Sequence, residues 1–158
     1  MIVNLQRKVK IDARQFRPFV DSLSEAVDES GGGSFSVAFV SDRRMTELNR
    51  FFRGKDSTTD VLSFLHEPDE FVQPAQFGAS LPEGERADAR TPNDDYLGDI
   101  VISVEQAQRQ AEDARLTLEN EIKQLILHGL LHLCGYDHET DDGEMNKREL
   151  KLRRKLKI

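Results

Sequence analysis

His128-Gly129-Leu130-Leu131-His132-Leu133-Cys134-Gly135-Tyr136-Asp137-His138 holds three of the chain's four histidines within eleven residues. His128 and His132 stand four apart, so on a helix their side chains share one face, roughly 5–6 Å apart at Cβ. Gly135 falls where helices commonly end in a left-handed residue, and the turn it permits brings His138 back toward the same point. Three neutral imidazoles with a fourth position open suit a catalytic zinc ion that activates a bound water. The alternative is a pair of core histidines, each satisfied by its own neighbour. That needs separate buried partners for two imidazoles in an otherwise aliphatic helix, because unpaired buried polar groups are costly.

The spacing H-x3-H-x2-G-x2-H also occurs in the metzincin zinc proteases, which carry a glutamate after the first histidine as general base. Gly129 stands there instead, so the ligand pattern comes without that base. Cys134, two residues from His132, falls on another side of the helix and reads as a small buried filler. Asp137 either accepts a hydrogen bond from a ligand imidazole or caps the turn. The fourth histidine, His66, reads as a surface residue.

Outward from this stretch, Leu118, Ile122, Leu125, Ile126 and Leu133 mark one helical face. From Leu125 onward the pattern is apolar nearly all round, as in a central buried helix. Thr117 is a suitable N-cap, with Glu119 and Glu121 complementing the N-terminal dipole. Ser103-Val104-Glu105-Gln106 reads as a capping box opening a helix to about Ala114. Asp12–Val27 has helical spacing in Phe16, Phe19, Val20, Leu23 and Val27. A further helix runs from Ser41 or Asp42 to about Phe52, with Met45, Leu48 and Phe52 inward, and a basic one over Asp141–Lys157. Strands are expected at 2–8, at Ser34–Val40 with its alternating Phe35, Val37 and Phe39, at Val61–His66 and at Leu97–Ser103. The expectation is a single α+β domain spanning 1–158. It has about four strands in a mostly parallel or mixed sheet, about five helices, and a metal site on the central buried helix.

The 158 residues carry 22 Lys+Arg against 29 Asp+Glu, a net charge of −7, with a mean hydropathy of −0.58 and a pI near 5.1. One domain fits that length. No stretch approaches the roughly 20 apolar residues that span a bilayer, the start has no signal-peptide pattern, and the single cysteine excludes an internal disulfide. These point to the cytoplasm, with no membrane partner. The charge is unevenly placed. Residues 67–95 hold eight acids, two bases and four of the five prolines, and read as a flexible acidic loop. Residues 147–158 hold seven bases against the single acid Glu149.

A second dense patch, Leu48–Phe64 (LNRFFRGKDSTTDVLSF), closes a helix, turns at Gly54 and enters a strand. Arg53 and Lys55 in it could hold a phosphate, Arg53 by a fork of donors. They could equally be bases complementing a helix C-terminus. With Leu97–Ser103 (LGDIVIS) and His128–His138 (HGLLHLCGYDH) in the same order, the chain resembles the bacterial YbeY-type endoribonucleases, also described as rRNA maturation factors. The resemblance covers roughly residues 34–150. It departs in the acidic loop and at Leu65, where the family typically has proline.

This resemblance implies a single-domain α+β fold and one zinc ion on His128, His132 and His138. It implies metal-dependent cleavage of single-stranded RNA, in small-subunit rRNA 3′-end maturation and ribosome quality control. It places the family's functional arginine on Arg53. The expected site is therefore His128 and Arg53 as catalytic residues, the three histidines as ligands, and Arg53 with Lys55 as substrate contacts. The expected partners are rRNA and the ribosome or small-subunit proteins, without DNA. No carboxylate base lies beside the histidines in sequence, so attack by a metal-activated water and by the RNA 2′-OH both stay open. A peptide- or small-molecule-cleaving zinc hydrolase is disfavoured by Gly129. A binding module with structural metal is disfavoured by the lack of a fourth protein ligand. A positive groove is expected at the histidines despite the acidic pI, with RNA affinity falling as salt rises.

Overall fold

A computed structural model describes residues 1–66 and 95–158. The acidic loop expected at 67–95 therefore lies outside the described residues except for Asp95. Four strands, β1 (Ile2–Asn4), β2 (Ser34–Val40), β3 (Val61–Leu65) and β4 (Tyr96–Ser103), form one sheet in the order β1-β2-β4-β3. β1 and β4 run parallel to β2, and β3 runs antiparallel to β4. Five α-helices complete the domain: α1 (Arg17–Ala26), α2 (Asp42–Arg53), α3 (Val104–Ala114), α4 (Leu118–Leu133) and α5 (Glu144–Leu156).

Strand alternation splits the core in two. Phe35, Val37 and Phe39 of β2, with Ile100 and Ile102 of β4, meet α1, α3 and α4 on one face. Val40, Val101 and Leu62 meet Met45 and Leu48 of α2 on the other. α4 is the centre of the larger core: Ile122, Ile126, Leu127, Leu130 and Leu131 are fully buried. Gly129 is the point of closest approach between α4 and the sheet, since a Cβ there would lie 2.7 Å from Ile100 Cγ2. α5 packs its Met145 and Leu152 against the same core. No described helix is long and apolar enough to cross a membrane.

Several element ends differ from the sequence expectation. β1 stops at Asn4 rather than residue 8 because the Gln6 side chain replaces the ladder. Its Oε1 accepts from Lys8 N (2.8 Å) and Val9 N (2.9 Å), and its Nε2 donates to the Val9 carbonyl (2.9 Å). The helix expected over Asp12–Val27 begins as a 3-10 turn, Ala13–Phe16, and becomes α-helical at Arg17. Pro18, lacking an N–H, is tolerated only in such a first turn. Ser103 does cap α3, accepting from Gln106 N at 3.3 Å. The box is half made: Gln106 Oε1 turns to Arg109, and Glu105 instead accepts from Asp42 N at 2.7 Å, capping α2. α5 starts at Glu144 because the Asp141 carboxylate holds Gly143 N (2.8 Å) and Met145 N (2.9 Å). Phe52, expected inward, is 41% exposed and lies edge-on to Phe64.

Candidate metal centre

α4 presents His128 and His132 on one face, and its end decides where the third histidine falls. After Leu133 the chain passes through Cys134 and then Gly135, whose φ of +97° belongs to the left-handed region that favours glycine. Asp137 holds the following turn, its carboxylate accepting from Glu139 N at 3.0 Å. Of the two roles open to it in sequence, the hydrogen bond places it in the turn. His138 thereby returns to α4. The ligand nitrogens of His128, His132 and His138 all lie within 4.8 Å of one another.

The back of each α4 imidazole has a partner that fixes its tautomer. His128 Nδ1–H donates to Glu149 Oε2 at 2.9 Å. His132 Nδ1–H donates to the Tyr136 carbonyl oxygen, also at 2.9 Å, and a carbonyl can only accept. Both Nε2 atoms are then bare lone pairs, and they face each other at 3.1 Å. His138 Nδ1 lies 3.2 Å from His132 Nε2. Two acceptors pointed at one spot are stable only with a proton or a cation between them. A tetrahedral zinc with ligands at 2.0–2.1 Å separates neighbouring nitrogens by about 3.3 Å, close to the observed spacings. The donor set therefore fits a metal ion.

Glu149 is buried and does not stand alone. Its Oε1 accepts from Arg153 Nη2 while Oε2 serves His128. Burial pushes its carboxyl pKa up, but the hydrogen bond from His128 and the Arg153 guanidinium outweigh this and hold it below the ordinary carboxylate range. Burial, reinforced by the neighbouring His128, pulls His132 down, which favours the neutral, metal-ready form. Cys134 is raised to about 11, chiefly by burial, packs against the core, and is not one of the clustered ligand residues. His66 is exposed and stacks edge-on to Tyr96. Position 129 faces Ile100 across the sheet contact, so no side chain there could serve as a base.

The histidines open into a cleft of about 670 Å³ that Arg53, Asp60, Ser63, Asp137 and Glu139 also line. Arg53 reaches it from the last turn of α2, which Gly54 caps. The loop beyond is held by Asn49 Nδ2 on the Ser57 carbonyl (2.8 Å) and by Arg50 on Asp56 (3.0 Å). Arg53 is 41% exposed and sits 3.6 Å from Glu139, a loose pairing. Lys55 is exposed and does not line the cleft, so the structure does not bring it together with Arg53. The expected positive groove is not supplied by the lining side chains either. Among the described residues they offer Arg53 against Asp60, Asp137 and Glu139.

A single α+β domain whose three imidazoles converge at an open cleft defines a class of protein with a site that can hold a metal ion. A family model described as Endoribonuclease YbeY matches residues 1–157, and the chain belongs to that family. It is 40% identical to the endoribonuclease YbeY of Syntrophus aciditrophicus over 155 residues, 96% of this chain and 85% of the relative. It is 41% identical to that of Nautilia profundicola over 139 residues, 88% and 84% of the two chains. The solution structure of TM1509 from Thermotoga maritima is similar at a TM-score of 0.58 and 27% identity, over 99% of this chain and 92% of that one.

Proposed function

We propose that the domain, residues 1–158, is a zinc-dependent endoribonuclease cleaving single-stranded RNA. Its setting is cytoplasmic, in small-subunit rRNA 3′-end maturation and ribosome quality control, with ribosomal small-subunit proteins as partners. The observation that carries the metal dependence is the pair of facing Nε2 lone pairs of His128 and His132, and the family supplies the substrate. An all-imidazole donor set suits zinc. When bound, the ion supplies Lewis acidity toward a phosphoryl oxygen and lowers the pKa of a water.

The chain's own residues do the rest. His128, His132 and His138 hold the ion, while Glu149 and the Tyr136 carbonyl lock the two helical imidazoles in the ligating tautomer. His128 is the catalytic histidine, because the Glu149 carboxylate behind it holds its Nδ1–H and so aims its Nε2 lone pair into the cluster. Arg53 leaves its loose contact with Glu139 for the scissile phosphate and stabilises charge building on the nonbridging oxygens. Lys55, outside the cleft, contacts the neighbouring backbone.

The test is cleavage of a single-stranded RNA, the matching duplex and the matching DNA, each with and without chelator. The reading expects cleavage of the single-stranded RNA alone, abolished by chelation. A 2′,3′-cyclic phosphate end would identify the 2′-OH as nucleophile, and a 3′-hydroxyl with a 5′-phosphate would identify water. Cleavage that survives both chelation and His132→Ala sinks the assignment.

A further inference from the structure

α5 divides its bases between two faces. Inward, Met145, Glu149 and Leu152 are buried. On the flanks, Arg148 is taken by Glu29 at 2.6 and 2.9 Å and Arg153 by Glu149. Outward, Lys147, Lys151, Arg154, Lys155 and Lys157 are all exposed. Among the described residues none of these five has an ion-pair partner; Lys155 alone has a hydrogen bond, to the Ala26 carbonyl at 3.4 Å. Glu144 is the one acid on that outward face.

An ordinary solvated helix interleaves acids at i±4, where opposite charges stabilise and like charges repel. Here Lys147–Lys151 and Lys151–Lys155 are i,i+4 like-charge pairs, and Lys151–Arg154 is an i,i+3 one. The chain accepts this repulsion although its net charge is −7, so acids were available in composition, yet among the described residues this face carries Glu144 alone. Lys147 to Arg154 covers about 10 Å along the helix, the scale of a short run of phosphates. The same helix delivers Glu149 to His128 from its inner face, so the stripe lies about one helix diameter behind the metal centre.

We propose that the outer face of α5 is a docking surface for the phosphate backbone of RNA flanking the cleaved segment. It supplies the electropositive contact that the cleft's own side chains lack. This rests on RNA being the substrate of the histidine site. The partner is a polyanion held by charge and not read by base.

The experiment compares wild type with the triple variant Lys147→Gln, Lys151→Gln, Arg154→Gln on a single-stranded RNA of thirty nucleotides and on one of six. Three lost single-strand contacts reduce the slope of log affinity against log salt by about 2, and affinity at 0.1 M by on the order of 100-fold. That is the expected result for the longer RNA. Cleavage of the six-nucleotide RNA, which occupies only the cleft, is expected unchanged, and the charge-preserving variant Lys147→Arg, Lys151→Arg, Arg154→Lys is expected to bind as wild type. An unchanged slope for the longer RNA overturns the proposal. So does equal loss on both RNAs, which would mean that the helix acts through Glu149. Binding of vesicles with anionic phospholipid that the triple variant loses, with RNA affinity intact, overturns it in favour of a membrane surface. If wild type cleaves neither RNA while the binding difference stands, the failure belongs to the enzymatic reading and not to the docking surface.

Discussion

Glu149→Gln isolates the charge behind the metal centre. The side chain keeps its size and an oxygen for His128 Nδ1, now 2.9 Å from the carboxylate. The hydrogen bond changes from one made to a charged acceptor, worth about 1.5–3 kcal/mol, to a neutral one worth about 0.5–1.5 kcal/mol. The loss of about 1–1.5 kcal/mol makes His128 a poorer ligand, and metal affinity should fall roughly tenfold. Glu149→Ala removes the acceptor altogether and should approach the upper end of the range, about 100-fold. The same changes strand Arg153, whose Nε already has no partner among the described residues. Removing one member of a buried ion pair costs about 3–5 kcal/mol. Arg153 is 32% exposed, so water offsets part of this and about 1–3 kcal/mol is expected. Metal affinity is read by competition with a chromophoric chelator at pH 7.5, and folding by urea titration of the metal-free proteins. A folded Glu149→Gln protein that binds metal within twofold of wild type would refute the reasoning.

Arg53→Ala should leave metal content unchanged and lower kcat on single-stranded RNA about 100-fold, the scale of losing one preorganised charge-stabilising donor. Lys55→Ala, off the cleft, should change kcat less than about twofold. Gly129→Ala places a methyl 2.7 Å from Ile100. It should destabilise the protein by about 1–2 kcal/mol in urea despite alanine's better helix propensity. For the metal-free protein, His132 has its folded pKa depressed by burial and by His128. The unfolded chain therefore binds the extra proton first. Stability should rise with pH from the depressed folded value up to the ordinary histidine value near 6.5, and flatten above it. A stability falling with pH across that window in wild type, and not in His132→Ala, would contradict the sign.

The histidine cluster was legible because it is local. An i,i+4 pair, a glycine at a helix end and a third histidine six residues on fix a geometry without any long-range contact. The sheet was legible for a similar reason: Phe35, Val37 and Phe39 alternate along Ser34–Val40 on one face, and both of its faces are covered. What supports the ligands was harder to read. Glu149 is 21 residues from His128 on another helix; its one trace in the sequence is that it is the single acid among seven bases in 147–158. The Tyr136 carbonyl is backbone and carries no residue signal. The link from the Tyr136 hydroxyl to Glu29 at 2.9 Å spans 107 residues. Element ends differed where one side chain overrode the pattern, as at Gln6, Pro18 and Asp141. The charge expectation failed because summed charge has no direction: α5 turns its lysines away from the cleft, and Glu139 meets Arg53 across it.

The central claim is that an ion on His128, His132 and His138 is what makes this cleft cut RNA. The most direct measurement is single-stranded RNA cleavage by metal-stripped protein as zinc is added back in known amounts. The account predicts no cleavage by the stripped protein, recovery that saturates at one equivalent per chain, and no recovery in His132→Ala. Full-rate cleavage by stripped protein, or recovery that His132→Ala shares, would contradict it.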